Sequence, residues 1–339
     1  MARSVTSPEQ VTGERRGIAS RPVTDDLDLP SLVDPGARTL GFDEDTDLEV
    51  GPLAFGCWRF VGTDVGRARE LIETALELDM NLVDTADIYG GIHGGGGEGE
   101  SEELLGKVLA QAPELRDRMV LATKGGIREG VPFDSSPDHL VAACDASLQR
   151  LGVDVIDLYQ VHRPDLFAHP LDVAETLDEL VASGKVRAVG VSNHTPAQVR
   201  ALAEYLEAPL VSTQPQYSAA HLDHLRDGVL DQAMELGLAV LAWSPLAGGR
   251  LVTGEGVRPE LVAVLDDLAA REQVDRATIA LAFVLAHPSS PVAIVGTQQP
   301  ERLRAAAGAL DVHLDRRDCY RIVEASEGVP HPRARNAGS

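Results

Sequence analysis

Eight times along this chain a short apolar run gives way to a stretch with helical spacing, and that alternation restricts the fold more than any other feature. The runs are Leu53–Trp58, Leu82–Asp84, Met119–Lys124, Val155–Val161, Val186–Val191, Leu210–Thr213, Ala239–Trp243 and Val292–Val295. Between them, apolar residues recur every three or four positions, as at Ala68, Leu71, Ile72, Ala75 and Leu76. Helices are predicted over Arg67–Leu78, from Glu102, over Pro137–Leu151, over Leu171–Ser183, from Pro196, and over Asp223–Leu236. Further helical stretches at Pro259–Arg271, Thr278–Ala286, Pro300–Ala309 and Arg316–Ala325 follow, with Ser101 and Ser136 as candidate N-caps. Eight such pairs in one chain of 339 residues fit a single closed parallel (β/α)8 barrel, the TIM-barrel architecture, better than an open sheet. A short hairpin between Leu40 and Val50 precedes it.

In such a barrel the loops after the strands converge on one face, so residues at strand ends are the candidates for chemistry. The second run ends in Asp84 and continues to Tyr89, the third ends in Lys124, and the fourth is followed by His162. A free phenol, with a pKa near ~10, is a poor acid at neutral pH unless a nearby cation lowers it. Lys124 is that candidate cation, in a chain with three lysines against 27 arginines. Asp84 would hold the lysine charged and oriented, and His162 would hydrogen-bond a carbonyl oxygen. The plainer reading is a buried ion pair and an ordinary strand-end histidine. Four such residues at the ends of three successive strands make coincidence a poor explanation.

In this constellation the chain resembles the aldo-keto reductase superfamily, in particular its bacterial oxidoreductase branch. The resemblance extends from about Leu40 to Ala325 and includes Ser101–Gly106, Gly184–Asn193, Ala242–Leu246 and Val295–Arg302. It implies an NADP-dependent reductase of aldehydes or ketones in which Asp84, Tyr89, Lys124 and His162 are catalytic. It also implies nicotinamide contacts from Ser192, Asn193 and Gln214, with Trp243 stacked on the ring. Trp58 would border both cofactor and substrate, and Phe60 would join it in an apolar substrate wall. Ser244, Pro245, Leu246, Gly248 and Arg250 would line the pyrophosphate, and Gly296, Thr297, Gln298, Gln299 and Arg302 the adenosine phosphate. Gly296 stands where many relatives have a lysine, which leaves Arg302 as the phosphate's bidentate partner. NADP is preferred and NAD remains possible. The same fold also serves cofactor-sensing regulatory proteins with little turnover, which is the alternative function.

Composition narrows the other classes. A net charge of -23 opposes nonspecific nucleic-acid binding. No apolar run approaches the roughly 20 residues of a membrane helix. Arg15-Arg16 is not followed by an apolar segment, so no export signal is expected and the chain is read as cytoplasmic. Cys57, Cys144 and Cys319 are too scattered for a metal or redox motif and are expected to be reduced thiols. A metal-dependent hydrolase, built on His93, His162, His169 and His194, lacks any HxH or HExxH spacing, so no metal is expected. Gly94–Gly99 formally satisfies GxGxxG, but Glu98 and Glu100 would repel a pyrophosphate, and the loop is read as part of the substrate mouth. The expected organisation is a loose arm over 1–37, the barrel over 38–327 and a tail over 328–339. The expected partner is a small carbonyl compound, and the oligomeric state is not legible.

Overall fold

The barrel closes through its strands in chain order. The structure is a computed structural model that describes residues 28–41, 47–90, 97–128 and 130–330. Most of the expected arm, the end of the expected tail, His93 and Gly94 to Gly96 lie outside the described residues. A two-stranded hairpin comes first, β1 (Arg38–Leu40) against β2 (Leu48–Val50), in antiparallel register. The eight parallel strands follow as β3 (Leu53–Gly56), β4 (Leu82–Asp84), β5 (Val120–Gly125), β6 (Ile156–Val161), β7 (Val186–Ser192), β8 (Leu210–Gln214), β9 (Ala239–Ala242) and β10 (Val292–Val295). Each pairs with its successor and β10 returns to β3.

The helices that cover this sheet are α1 (Val65–Glu77), α2 (Glu100–Gln111), α3 (Pro137–Leu151), α4 (Pro170–Ala182), α5 (Pro196–Ala203) and α6 (Val229–Leu236). Beyond β9 come α7 (Arg250–Thr253), α8 (Pro259–Glu272) and α9 (Arg276–Leu285), and α10 (Pro300–Ala307) and α11 (Arg316–Glu327) close the chain. Two helix starts differ from expectation. Ser101 does not cap α2, because Gly99 holds the N-cap with φ 81° and the Ser101 hydroxyl donates instead to Cys57 O at 3.0 Å. Ser136 does occupy the N-cap of α3, but its hydroxyl goes to Asp134 Oδ1 at 2.6 Å rather than to the helix backbone. The stretch predicted as one helix from Asp223 is a 3-10 turn followed by α6. Gly228, at φ 90°, breaks the run.

Period-two alternation decides which side chains enter the barrel. On β5, Leu121 joins the outer core against the helices, whereas Val120 and Ala122 join the inner cluster. Lys124 shares their parity and therefore points inward. On β6 the same rule sends Tyr159 outward and Leu158 inward, followed by Gln160 and, just past the strand, His162. The hairpin contributes Leu40, Leu48 and Val50 to the inner cluster. Each is at most 4% exposed, burial worth about 1.5–3 kcal/mol per side chain before chain entropy is counted. It therefore plugs one end of the barrel with apolar groups and leaves the polar end for the site. Asn81 fixes its angle, accepting from Gly51 N and donating to Glu49 O, both at 2.9 Å.

Candidate active site

The inward positions at the ends of β4 and β5 form one buried cluster. Lys124 is 0% exposed and its Nζ lies 2.8 Å from Asp84 Oδ2, 2.7 Å from Thr85 O and 3.3 Å from the Tyr89 hydroxyl. Three acceptors are what an ammonium needs when it has left water. The second oxygen of Asp84 accepts from Gln214 Nε2 at 2.9 Å, so the carboxylate is held from both sides. Gly190 on β7 makes room for this layer, since a Cβ there would strike the Ser212 hydroxyl.

Electrostatics follows from that packing. Burial pulls the Lys124 pKa down, but Asp84 and Tyr89 outweigh it and leave the net shift upward, so the amine stays charged. Burial is the largest influence on the Tyr89 pKa and raises it; Lys124 lowers it, Asp84 raises it, and the net direction is upward. The expectation that the lysine leaves this phenol with a lowered pKa is therefore corrected: Lys124 acts with the expected sign, and burial together with Asp84 outweighs it. His162 is held well below the ordinary imidazole value by burial, then by Lys124 and Arg163, which keeps the ring neutral. Its ring stands edge-on to Tyr89 with centroids 5.7 Å apart, and its backbone N–H donates to Gly125 O at 2.8 Å. Nδ1 is buried and has no hydrogen-bond partner among the described residues.

Above this floor runs a cleft of about 780 Å³, within the range of small-molecule sites. Asp84, Tyr89, His162, Trp58 and Trp243 line it where β3, β4, β6 and β9 end, and Gly296 to Gln299, Arg302 and Ala306 line it where β10 passes into α10. Ser192, Asn193, Gln214, Ser244, Pro245, Leu246 and Gly248 also line it. Several of these are fixed by the protein itself. Asn193, in the left-handed region at φ 60°, donates through Nδ2 to His162 O and to the Ser192 hydroxyl, and its Oδ1 accepts from Trp243 Nε1 at 3.0 Å. Ser244 and Ala247, each at φ 51°, and Gly248, at φ 70°, fold the segment after β9 into a tight strap along the cleft.

Two expected residues stand elsewhere. Phe60 is 0% exposed and packs edge-on against Phe55 at 5.8 Å, so it belongs to the outer core and forms no substrate wall. Arg250 is exposed, outside the cleft lining, with Nε donating to Ala247 O at 3.1 Å. The cleft instead has residues that sequence reasoning passed over: Ile88, Ile127, Arg59 and Arg163. Arg59 and Arg163 directly follow Trp58 and His162, so adjacency to a strand-end candidate was the available signal. Arg59 bridges to Gly248 O at 2.9 Å and so ties the loop after β3 to the strap.

The decoy glycines contribute nothing to the cleft among the described residues, and Gly99 serves only to start α2. Two other candidate histidines have structural partners: His169 Nδ1 accepts from Leu171 N and caps α4, and His194 Nδ1 lies 2.9 Å from Ser192 O. Among the described residues no three His, Cys, Asp or Glu side chains gather as metal ligands, and no helix is long and apolar enough to cross a membrane.

Comparison with known proteins fits this geometry. The chain is 47% identical over 310 residues to 6-dehydroglucose reductase of Novosphingobium aromaticivorans, covering 91% of this chain and 99% of that protein. It is 37% identical over 299 residues to the oxidoreductase YdhF of Escherichia coli, covering 84% and 96%. Among solved structures, the thermostable aldo-keto reductase Tm1743 in complex with the inhibitor epalrestat superposes with a TM-score of 0.73 at 25% identity, over 86% of this chain and 99% of that one. The profile of the aldo/keto reductase family matches residues 52–327, that is, every barrel strand together with the cleft that the strand ends carry. The chain belongs to the aldo/keto reductase family of oxidoreductases.

Proposed function

We propose that this protein is an NADP-dependent reductase of aldehydes or ketones, with Tyr89 as the proton donor. The observation that carries the reading is the Lys124 ammonium, which touches Asp84, Thr85 O and the Tyr89 hydroxyl at once on the floor of the cleft. A bound nicotinamide dinucleotide would supply the hydride, and the protein's task is to hold the carbonyl and deliver the proton.

Tyr89 suits that task because its raised pKa keeps the proton in place until negative charge develops on the substrate oxygen. As that charge grows, Lys124 favours the phenolate left behind, and Asp84 keeps the ammonium aimed at it. A neutral His162, at the edge of Tyr89, directs the same oxygen without competing for the proton. The residues present also fit the dinucleotide. Gln298 Nε2, on the cleft, is buried and lacks a partner among the described residues. Arg302 lines the same end, and its guanidinium forms no ion pair among the described residues, which favours a phosphate-bearing cofactor. Trp243, pinned by Asn193, would offer a rigid face to the nicotinamide.

The test is titration of NADPH and NADH by tryptophan fluorescence, then cofactor oxidation with an aldehyde panel for wild type and Tyr89→Phe. The names of the relatives make 6-dehydroglucose the first aldehyde to try. NADPH binding by both proteins with turnover confined to wild type supports the reading. Tight binding without turnover in either points to a cofactor sensor, and absence of binding overturns the assignment.

A further inference from the structure

Among the cations on the cleft, Arg163 has a task in neither the proton delivery nor the cofactor contacts and, unlike Arg59, it has no hydrogen bond among the described residues. It follows His162 at the substrate end, half-buried, and its guanidinium stands 5.7 Å from the centre of the Trp243 ring. That contact lies within cation–π range. Among the described residues it has no carboxylate and no hydrogen-bond acceptor. The neighbouring acid, Asp165, is turned away: its two oxygens accept from Ser135 N and Phe167 N, each at 2.9 Å. Partial burial lowers the Arg163 pKa, with Tyr89 acting in the opposite direction. The protein thus keeps up to five donors partly out of water beside the reacting centre and does not use them itself.

The walls around Arg163 narrow what those donors can meet. Trp58, Ile88, Ile127 and Trp243 present apolar surface at that end. The nearby side-chain N–H donors are already committed, since Asn193 Nδ2 and Trp243 Nε1 are both bonded within the protein. A carboxylate placed there would find Arg163 with little other support, since Arg59 already donates to Gly248 O and the chain's net charge is -23. A neutral chain of hydroxyls suits the place better, because its C–H faces pack on the indoles while its oxygens accept from the guanidinium. We propose that Arg163 is a specificity residue that donates to hydroxyl oxygens on the carbons next to the reacting carbonyl, and so selects polyhydroxylated aldehydes. This rests on the carbonyl reductase reading above and adds to it a residue for the choice of substrate.

The experiment compares kcat/KM for D-glyceraldehyde, propanal and succinic semialdehyde in wild type, Arg163→Met and Arg163→Lys. NADPH affinity by tryptophan fluorescence and melting temperature are recorded for each protein. A charged donor lost to a substrate oxygen corresponds to roughly a tenfold to hundredfold change. Wild type should prefer glyceraldehyde to propanal, and Arg163→Met should reduce that ratio by about tenfold or more, chiefly through KM. Arg163→Lys should recover part of it. An unchanged ratio overturns the proposal, as does a loss of NADPH affinity that parallels the loss of activity, which would place Arg163 on the cofactor. Preference for succinic semialdehyde that depends on Arg163 would replace hydroxyl recognition by anion recognition. In each of those outcomes NADPH binding and aldehyde reduction by wild type persist. Their absence would instead remove the parent reading, and this inference with it.

Discussion

The two ends of the cleft are built differently. At the floor, Lys124, Asp84 and Gln214 are at most 3% exposed and bonded to one another, so the geometry is set before any ligand arrives. Elsewhere on the cleft Gln299 and Arg302 are exposed, and Gln298 keeps a buried donor without a partner among the described residues. The first end resembles a finished core, whereas the second presents exposed polar groups. The difference separates two kinds of residue: those whose loss should damage chemistry and stability together, and those whose loss should damage affinity alone.

The largest effect is expected at the floor. Tyr89→Phe removes the proton donor and should lower the single-turnover rate by about 10²- to 10⁴-fold while NADPH still binds. Lys124→Met should lower it by a similar factor and also destabilise the fold by roughly 3–5 kcal/mol, because Asp84 is left as a buried charge without its cation. Thermal melting beside the kinetics separates the two variants. Phe60→Ala tests the correction made by the fold. It should cost about 3–5 kcal/mol through a core cavity and leave KM for aldehydes nearly unaltered. A large rise in KM would return Phe60 to the substrate wall.

The exposed end should respond less, and in affinity. Arg302→Ala is expected to weaken NADPH binding by about tenfold to a hundredfold and NADH binding much less, read by fluorescence titration. Equal losses for both nucleotides would mean that Arg302 does not distinguish the phosphate.

Asp87 gives a pH signature in stability and not in rate or affinity. It is 8% exposed, and its pKa is raised to about 8, first by burial and then by Glu102. The folded state therefore holds a proton that the unfolded chain, with an ordinary carboxyl, has released, so Asp87 makes stability fall as pH rises from about 4 to about 8. His194 acts oppositely at lower pH. Burial brings its pKa to about 4, the unfolded chain binds the extra proton, and stability rises across pH 4 to 6.5. Above pH 6.5 the Asp87 slope remains without that opposition, so the melting temperature should decline toward pH 8, and Asp87→Asn should flatten the decline.

The same contrast explains what could be read from the sequence. The eight strands and the strand-end tetrad were legible because period-two alternation and topology fix both the fold and the direction of Lys124 and His162. Phe60 was misplaced because it lies past the end of β3, in a 3-10 turn after which alternation no longer says which way a side chain faces. Arg59 and Arg163 were missed for a related reason. Their roles come from loops that cross the cleft, as Arg59 does to Gly248 O. The net direction at Tyr89 needed burial as well as the neighbouring charge, and only the folded chain supplies it.

The most direct test of this division measures NADPH affinity and the single-turnover rate of aldehyde reduction side by side in wild type, Tyr89→Phe and Arg302→Ala. The account predicts a crossed pattern, in which Tyr89→Phe loses rate far more than affinity and Arg302→Ala loses affinity far more than rate. Parallel losses of both quantities in both variants would contradict it, since the two ends would then be acting as one unit.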